Sequence, residues 1–190
     1  MALKATIVKA ELAIADMHRH YYHTHALTLA QHPSETTERL MLRLVAFALL
    51  ADPQLQFGKG ISDDTEPDLW QHSLSGEIDL WVELGLPEEK ALRKASHKAK
   101  RALVLAYGGS VVDKWWQREQ KAVQALDNLV VVSIDTQSSA ELAAICQRTM
   151  QLQCTLQEGQ LWFSDGQHSV VVTPTLLKQA NPAWFSLESL

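Results

Sequence analysis

The segment Ile78–Leu84 (IDLWVEL) carries the residues best suited to chemistry. Strand alternation puts Ile78, Leu80, Val82 and Leu84 on one face, and Asp79, Trp81, Glu83 and then Gly85 on the other. A strand covered by helices normally has two apolar faces, so two carboxylates on it call for a metal ion or a buried basic group. The competing reading is an edge strand whose acidic face is simply wet.

Two further groups add to this pair. Helical spacing aligns Glu38 with Met41, Leu42, Val45 and Leu49, which places a carboxylate at the head of a core-facing stripe. Capping of the helix start is the plain alternative for Glu38. After the acidic strand comes a helix rich in Lys and Arg, with Lys90, Lys94, His97, Lys98 and Arg101 on one face. Most of these residues read as a solvated face, but Lys94 lies about two turns into the helix and can reach back toward the strand. Carboxylates beside a lysine suit divalent-metal phosphodiester hydrolysis: hard Mg²⁺ prefers carboxylate oxygens and keeps several waters, and an ammonium stabilises phosphoryl charge. A structural ion-pair network would use the same residues.

Other constellations are weaker. His18, His20, His23 and His25 form two His-x-His pairs, but the only acidic neighbour is Asp16 and the region reads as a hairpin end. Cys146 and Cys154 lack Cys-x-x-Cys spacing, and Cys154 falls on an apolar strand phase. Gly58-Lys59-Gly60 is not a phosphate loop, and no Gly-x-Ser-x-Gly elbow is present. Trp115-Trp116 reads as one core residue and one flanking residue.

The elements that must position these groups follow from patterning. Leu3–Ala15 and about Tyr21–Gln31 read as paired strands, with a bulge expected where Ile7 adjoins Val8 and a polar turn at Asp16–His20. A helix capped by Ser34 runs to about Leu50 and is apolar nearly all round, so it should be buried on more than one side. Gln54–Ile61 reads as a short strand, and the acidic loop Ser62–Asp68 as leading into a helical turn through Trp70. Then come the acidic strand, a helix from Pro87 to about Arg101, a strand Ala102–Tyr107, a helix Ser110–Val123, a strand Leu129–Ile134, a helix Ser138–Arg148 and a closing meander over Leu152–Thr173. Strand–helix alternation from Ile78 to Ile134 implies parallel pairing. The expected fold is α/β, a mixed β-sheet flanked by helices with added antiparallel hairpins, in one domain over residues 1–177 with a tail at 178–190.

Composition narrows the class. The chain has 190 residues, 46% of them hydrophobic, which is enough for a packed core. With 17 basic against 22 acidic residues the formal charge is -5, so any nucleic-acid surface must be local. No apolar run reaches the roughly 18 residues of a membrane span, and no secretory signal is recognisable, so no membrane role and a cytoplasmic location are expected.

The stretches HPSETTERLMLRLVAFAL, EPDLW, GEIDLWVELGLPEEKALRKA, the Trp115-Trp116 pair and RTMQLQCTLQEGQLWFSD together resemble the bacterial YaeQ family over nearly the whole chain. The resemblance implies a variant of the PD-(D/E)xK nuclease core, a restriction-endonuclease-like sheet with an acid on the first helix, an aspartate and a Glu-x-Lys strand. Glu38 then matches the helix acid and Glu83 the strand glutamate, while Gly85 stands where the lysine belongs. A lysine from the following helix replaces it in some members of the superfamily, with Lys94 the candidate and Lys98 the reserve. Asp79 ranks first for the aspartate because it shares a face with Glu83. Four residues of strand span about 13 Å, however, against Mg–oxygen distances of about 2.1 Å, so Asp68 (preceded by Pro67) and Asp64 stay open. The expectation is a Mg²⁺-dependent phosphodiesterase acting on nucleic acid, with Glu38, Asp79 and Glu83 as metal ligands and Lys94 assisting attack. The alternative is a catalytically inactive module of the same fold that binds nucleic acid or a protein partner.

Overall fold

A computed structural model describes residues 4–59, 61 and 65–188. The N-terminal hairpin pairs β1 (Thr6–Asp16) with β2 (Tyr21–Gln31) in an unbroken antiparallel register from Thr6↔Gln31 to Asp16↔Tyr21. The bulge expected at Ile7-Val8 does not form. Val8, Ala10, Leu12 and Ile14 all point inward, while Ile7 is an apolar residue on the exposed face. The phase slip came from that outward isoleucine, not from the backbone.

The chain then enters α1 (Thr37–Leu49), whose cap is Thr36: its side chain accepts the Arg39 N–H, while Ser34 is engaged with His32. Every residue from Leu40 to Leu49 is buried. The helix shares one core with the inward faces of both sheets, which is why its apolar residues run right round it.

β3 (Gln56–Phe57) and β4 (Leu69–His72) lead to β5 (Ile78–Leu84). The segment expected as a strand over Gln54–Ile61 is thus reduced to two residues, and Trp70 lies in a strand, not in a helical turn. Residues 62–64, including Asp64, lie outside the described residues. α2 (Glu89–Lys98) ends earlier than its patterning suggests, because β6 (Ala99–Tyr107) takes up the chain directly. α3 (Ser110–Gln124), β7 (Leu129–Ile134) and α4 (Thr136–Ala144) follow, the last capped by Asp135. β8 (Thr149–Gln157), β9 (Gln160–Ser164), β10 (Ser169–Val172) and β11 (Thr175–Lys178) complete the elements.

The fold class is α/β with mixed sheets, but there are two of them where one was expected. One runs β10-β9-β8-β1-β2, the other β11-β7-β6-β5-β4-β3. β5, β6 and β7 are parallel, as the alternating elements imply, and β8 pairs parallel with β1 far upstream. That last pairing joins the closing meander to the opening hairpin and so creates the separate sheet. A second core lies on the other face of the six-stranded sheet, where Trp81, Ala102, Val104 and Val131 meet Leu92 and Ala95 of α2 and Val112, Trp115 and Val123 of α3. The segment set apart as a tail packs on this body. Lys178 Nζ donates to the carbonyls of Leu126 and Leu129 at 2.8 Å, Trp184 Nε1 donates to the Asn128 carbonyl, and Phe185 is buried. Among the described residues no helix is long and apolar enough to cross a membrane.

Burying α1 also buries Arg43, whose side chain is 1% exposed. Glu35, just ahead of the helix, compensates it: Arg43 Nη2 donates to Oε2 at 3.3 Å, and Nε lies 3.1 Å from Oε1. Removing one member of a buried pair leaves the other uncompensated. Glu35→Ala is therefore expected to lose about 3–5 kcal/mol of stability, read by urea unfolding. An effect as small as that of an exposed ion pair would show that Arg43 finds other compensation.

Candidate active site

The acids assemble at the C-terminal end of β5, the end of a parallel strand where α/β sheets usually form their crevices. Along β5, Leu80, Val82 and Leu84 join the core around α1, while Trp81 packs into the core beneath α2 and α3. Glu83 shares Trp81's face one step nearer the rim and is partly buried. Trp81 Nε1 donates to Glu83 Oε1 at 2.7 Å. The ammonium of Lys94, on α2, sits over the same indole ring, 5.3 Å from its centroid. A buried tryptophan thus touches both the acid and the amine that the sequence singled out.

Asp68 arrives from the neighbouring strand. β4 runs antiparallel to β5 with Leu69 opposite Val82, so the residue before Leu69 comes to the Glu83 end. Asp68 is 2% exposed. Its Oδ2 accepts the Leu84 N–H at 2.7 Å and its Oδ1 accepts Arg39 Nη2 at 2.6 Å. Arg39 Nη1 in turn donates to Glu35 at 3.0 Å. The charge of Asp68 thus acts on Glu83. Burial, reinforced by the charge of Asp68, pushes the Glu83 carboxyl up to about 7, against the lowering effects of the Trp81 hydrogen bond and of Lys94 and Arg39. Such a group exchanges a proton near neutral pH, as an acid–base catalyst does.

Glu38 stands beside this group on α1, where Oε1 accepts the Ser139 hydroxyl of α4 at 2.5 Å. Tyr107, at the end of β6, connects it to the rest. Burial raises the phenol, and Arg39, Glu38, Asp68 and Glu35 all act on it electrostatically. Asp79 is not brought to this end. It lies at the start of β5, where Lys100 Nζ approaches Oδ1 at 2.9 Å and also pairs with Glu77. The separation along the strand that made a shared ion difficult is therefore kept in the fold. Lys98 is exposed at the close of α2. Patterning did not reveal Arg39, Tyr107 or Ser139. The four-residue spacing from Glu35 to Arg39 is a local signal that could have found Arg39.

Asp68 and Glu83 supply the hard oxygen donors that Mg²⁺ prefers, and Mg²⁺ is commonly held by one or two carboxylates with water completing the shell. The pair fits such an ion in donor chemistry, although among the described residues no three His, Cys, Asp or Glu side chains gather into a complete set. The hairpin histidines likewise form no such set. His25 is buried, hydrogen-bonded to the Tyr21 hydroxyl at 2.8 Å and packed edge-on against Phe47.

A raised carboxyl pKa carries a stability signature. Glu83 ionises near 4.5 in an unfolded chain and near 7 here, so the fold disfavours its charged form. Its contribution is most favourable below the lower value, declines as pH rises between the two, and stays low above the upper. Glu83→Gln should therefore gain stability relative to the natural chain between pH 5 and pH 8, by about 1–3 kcal/mol. Urea unfolding at both pH values measures this, and a difference independent of pH would contradict the shift.

Comparison with known proteins agrees with this architecture. The family model described as YaeQ protein matches residues 1–174. Proteins described as uncharacterized YaeQ from Salmonella typhi and Escherichia coli K12 are 43% and 42% identical, each over 94% of this chain and 99% of their own length. The crystal structure of YaeQ from Xanthomonas axonopodis pv. citri superposes with a TM-score of 0.89 at 46% identity, covering 92% of this chain and 98% of that one. The YaeQ structure from Pseudomonas syringae gives 0.88 at 32% identity, over 92% and 96%. With the family model spanning most of its length and the fold shared with two solved relatives, this chain belongs to the YaeQ family.

Proposed function

We propose that the protein is a Mg²⁺-dependent phosphodiesterase acting on nucleic acid, with Asp68 and Glu83 as its metal carboxylates. The observation that carries this reading is the pairing of those two acids at one strand end between the cations Lys94 and Arg39, with Glu83 poised near neutrality. Pro67-Asp68 and Glu83 then supply the aspartate and glutamate of the nuclease pattern implied by the family resemblance. The missing strand lysine has a local reason. Gly85 has φ of 103°, a left-handed conformation that a lysine adopts only under strain. An amine delivered by α2 avoids that strain. A bound Mg²⁺ would stabilise phosphoryl charge and make water a better nucleophile. Lys94 would orient that water or neutralise the phosphate, Trp81 would hold Lys94 and Glu83 in place, and Glu38 would act from outside the metal pair. The basic face of α2, with Lys90, Lys98 and His97, would track the phosphate backbone.

The same residues also support a second reading, a non-catalytic module that binds nucleic acid or a protein partner. Arg39 already satisfies one Asp68 oxygen, as a guanidinium does when it substitutes for a metal.

Calorimetric titration with Mg²⁺ and Mn²⁺, alongside cleavage assays on DNA and RNA, separates the two. Metal binding and metal-dependent turnover are expected, falling at least ~100-fold in Asp68→Asn and Glu83→Gln, while Asp79→Asn stays near the natural rate. Absence of both metal binding and cleavage would overturn the phosphodiesterase reading.

A further inference from the structure

The two sheets leave four edges, and three are short. β3 has 2 residues, β10 has 4, and β11 has 4 with a break in register between Leu176 and Lys178. The fourth, β2, runs for 11 residues in an uninterrupted ladder with β1. Long regular edges are normally blunted by Lys, Pro, a bulge or an inward charge, because their unpaired backbone groups are a template for another strand. β2, YYHTHALTLAQ, has no Lys, Arg, Asp, Glu or Pro and no bulge.

The direction of its backbone groups follows from β1. The Lys9 and Met17 N–H groups donate to Arg148 and Leu156, on the β8 side. Alternate residues of a strand turn their backbone groups to opposite neighbours, so Val8, Ala10, Leu12 and Ile14 face β2 and meet Leu29, Leu27, His25 and His23. The N–H and C=O groups of Tyr22, Thr24, Ala26, Thr28 and Ala30 therefore point away from the sheet. Arg43 Nη2 donates to the Ala30 carbonyl at 3.1 Å, in keeping with that direction. Among the described residues, no other hydrogen bond reaches this outward row.

We propose that β2 is an interaction surface for a second copy of this chain, paired antiparallel about a two-fold axis through Ala26 to give a continuous sheet across both copies. The sequence matches itself about that axis. Thr24 of one copy faces Thr28 of the other, Ala26 faces Ala26, and His25 faces Leu27. Thr–Thr pairs are favourable across strands, the small alanines leave the axis clear, and no like charges meet. Tyr22, 60% exposed, gains a neighbour in the region of Ala30. An edge without charge has nothing to select a foreign strand of either sign, whereas a two-fold axis gives each copy the same partner surface.

Sedimentation velocity on the full chain over a broad concentration series tests this. The natural chain is expected to form a dimer. Ala26→Pro removes an outward N–H without touching the β1 ladder, and Thr24→Lys combined with Thr28→Lys sets like charges across the axis. Either change should weaken the dimer about tenfold or more, with circular dichroism and melting close to those of the natural chain. If the proline variant loses its fold, the double lysine variant decides. A natural chain that stays monomeric throughout, or a dimer unaffected by the substitutions, would overturn the proposal.

Discussion

The ion-pair chain Arg43–Glu35–Arg39–Asp68 ties the buried helix α1 to the strand pair that carries the acids. A helix enclosed between two sheets has no solvent side for Arg43, and it leaves Arg39 only slightly exposed. Arg43 is held by Glu35, Glu35 also receives Arg39, and the remaining charge of Arg39 meets Asp68. A gap anywhere in this series would leave a buried charge uncompensated, at a cost of several kcal/mol. The positions of α1 and of the residue before β4 are therefore mutually dependent. Asp68 is thereby fixed at the end of β5, and burial, reinforced by its charge, raises the Glu83 carboxyl to about 7.

Trp81 performs the corresponding task on the other face of the sheet. Its ring is core, packed beneath α2 and α3, yet its N–H reaches Glu83 and its face receives the Lys94 ammonium. A side chain immobilised by packing is a stiff mount for two polar groups. Gly85, directly after the strand, turns with a positive φ, and a Cβ there would lie 3.9 Å from the Tyr107 ring. The rim is thus built from groups whose geometry is set in the interior.

Much of the architecture was legible beforehand. The limits of the acidic strand and of Leu129–Ile134 follow from local alternation, and the enclosed character of α1 follows from apolar residues distributed right round it. Local rules failed where a neighbour overrode them. Ile7 is apolar but outward, Ser34 is a good cap engaged elsewhere, and α2 yields its last turn to β6 because residues from Ala99 onward pair with β5. The second sheet was invisible because its defining pair, β1 with β8, joins segments over a hundred residues apart.

The same division runs through the site. By itself the sequence determined which side chains share a face: Glu83 with Trp81, Glu38 with the stripe of α1, Lys94 with the basic side of α2. These are consequences of residue spacing, and spacing is local. Only the tertiary structure decided which aspartate accompanies Glu83. Asp79 and Asp68 are both acids at reasonable separations in the sequence, but the extended strand keeps Asp79 four residues from Glu83, while the antiparallel turn from β4 to β5 returns Asp68 to it. That choice depends on which strands become neighbours, and neighbours are selected by packing across the whole chain.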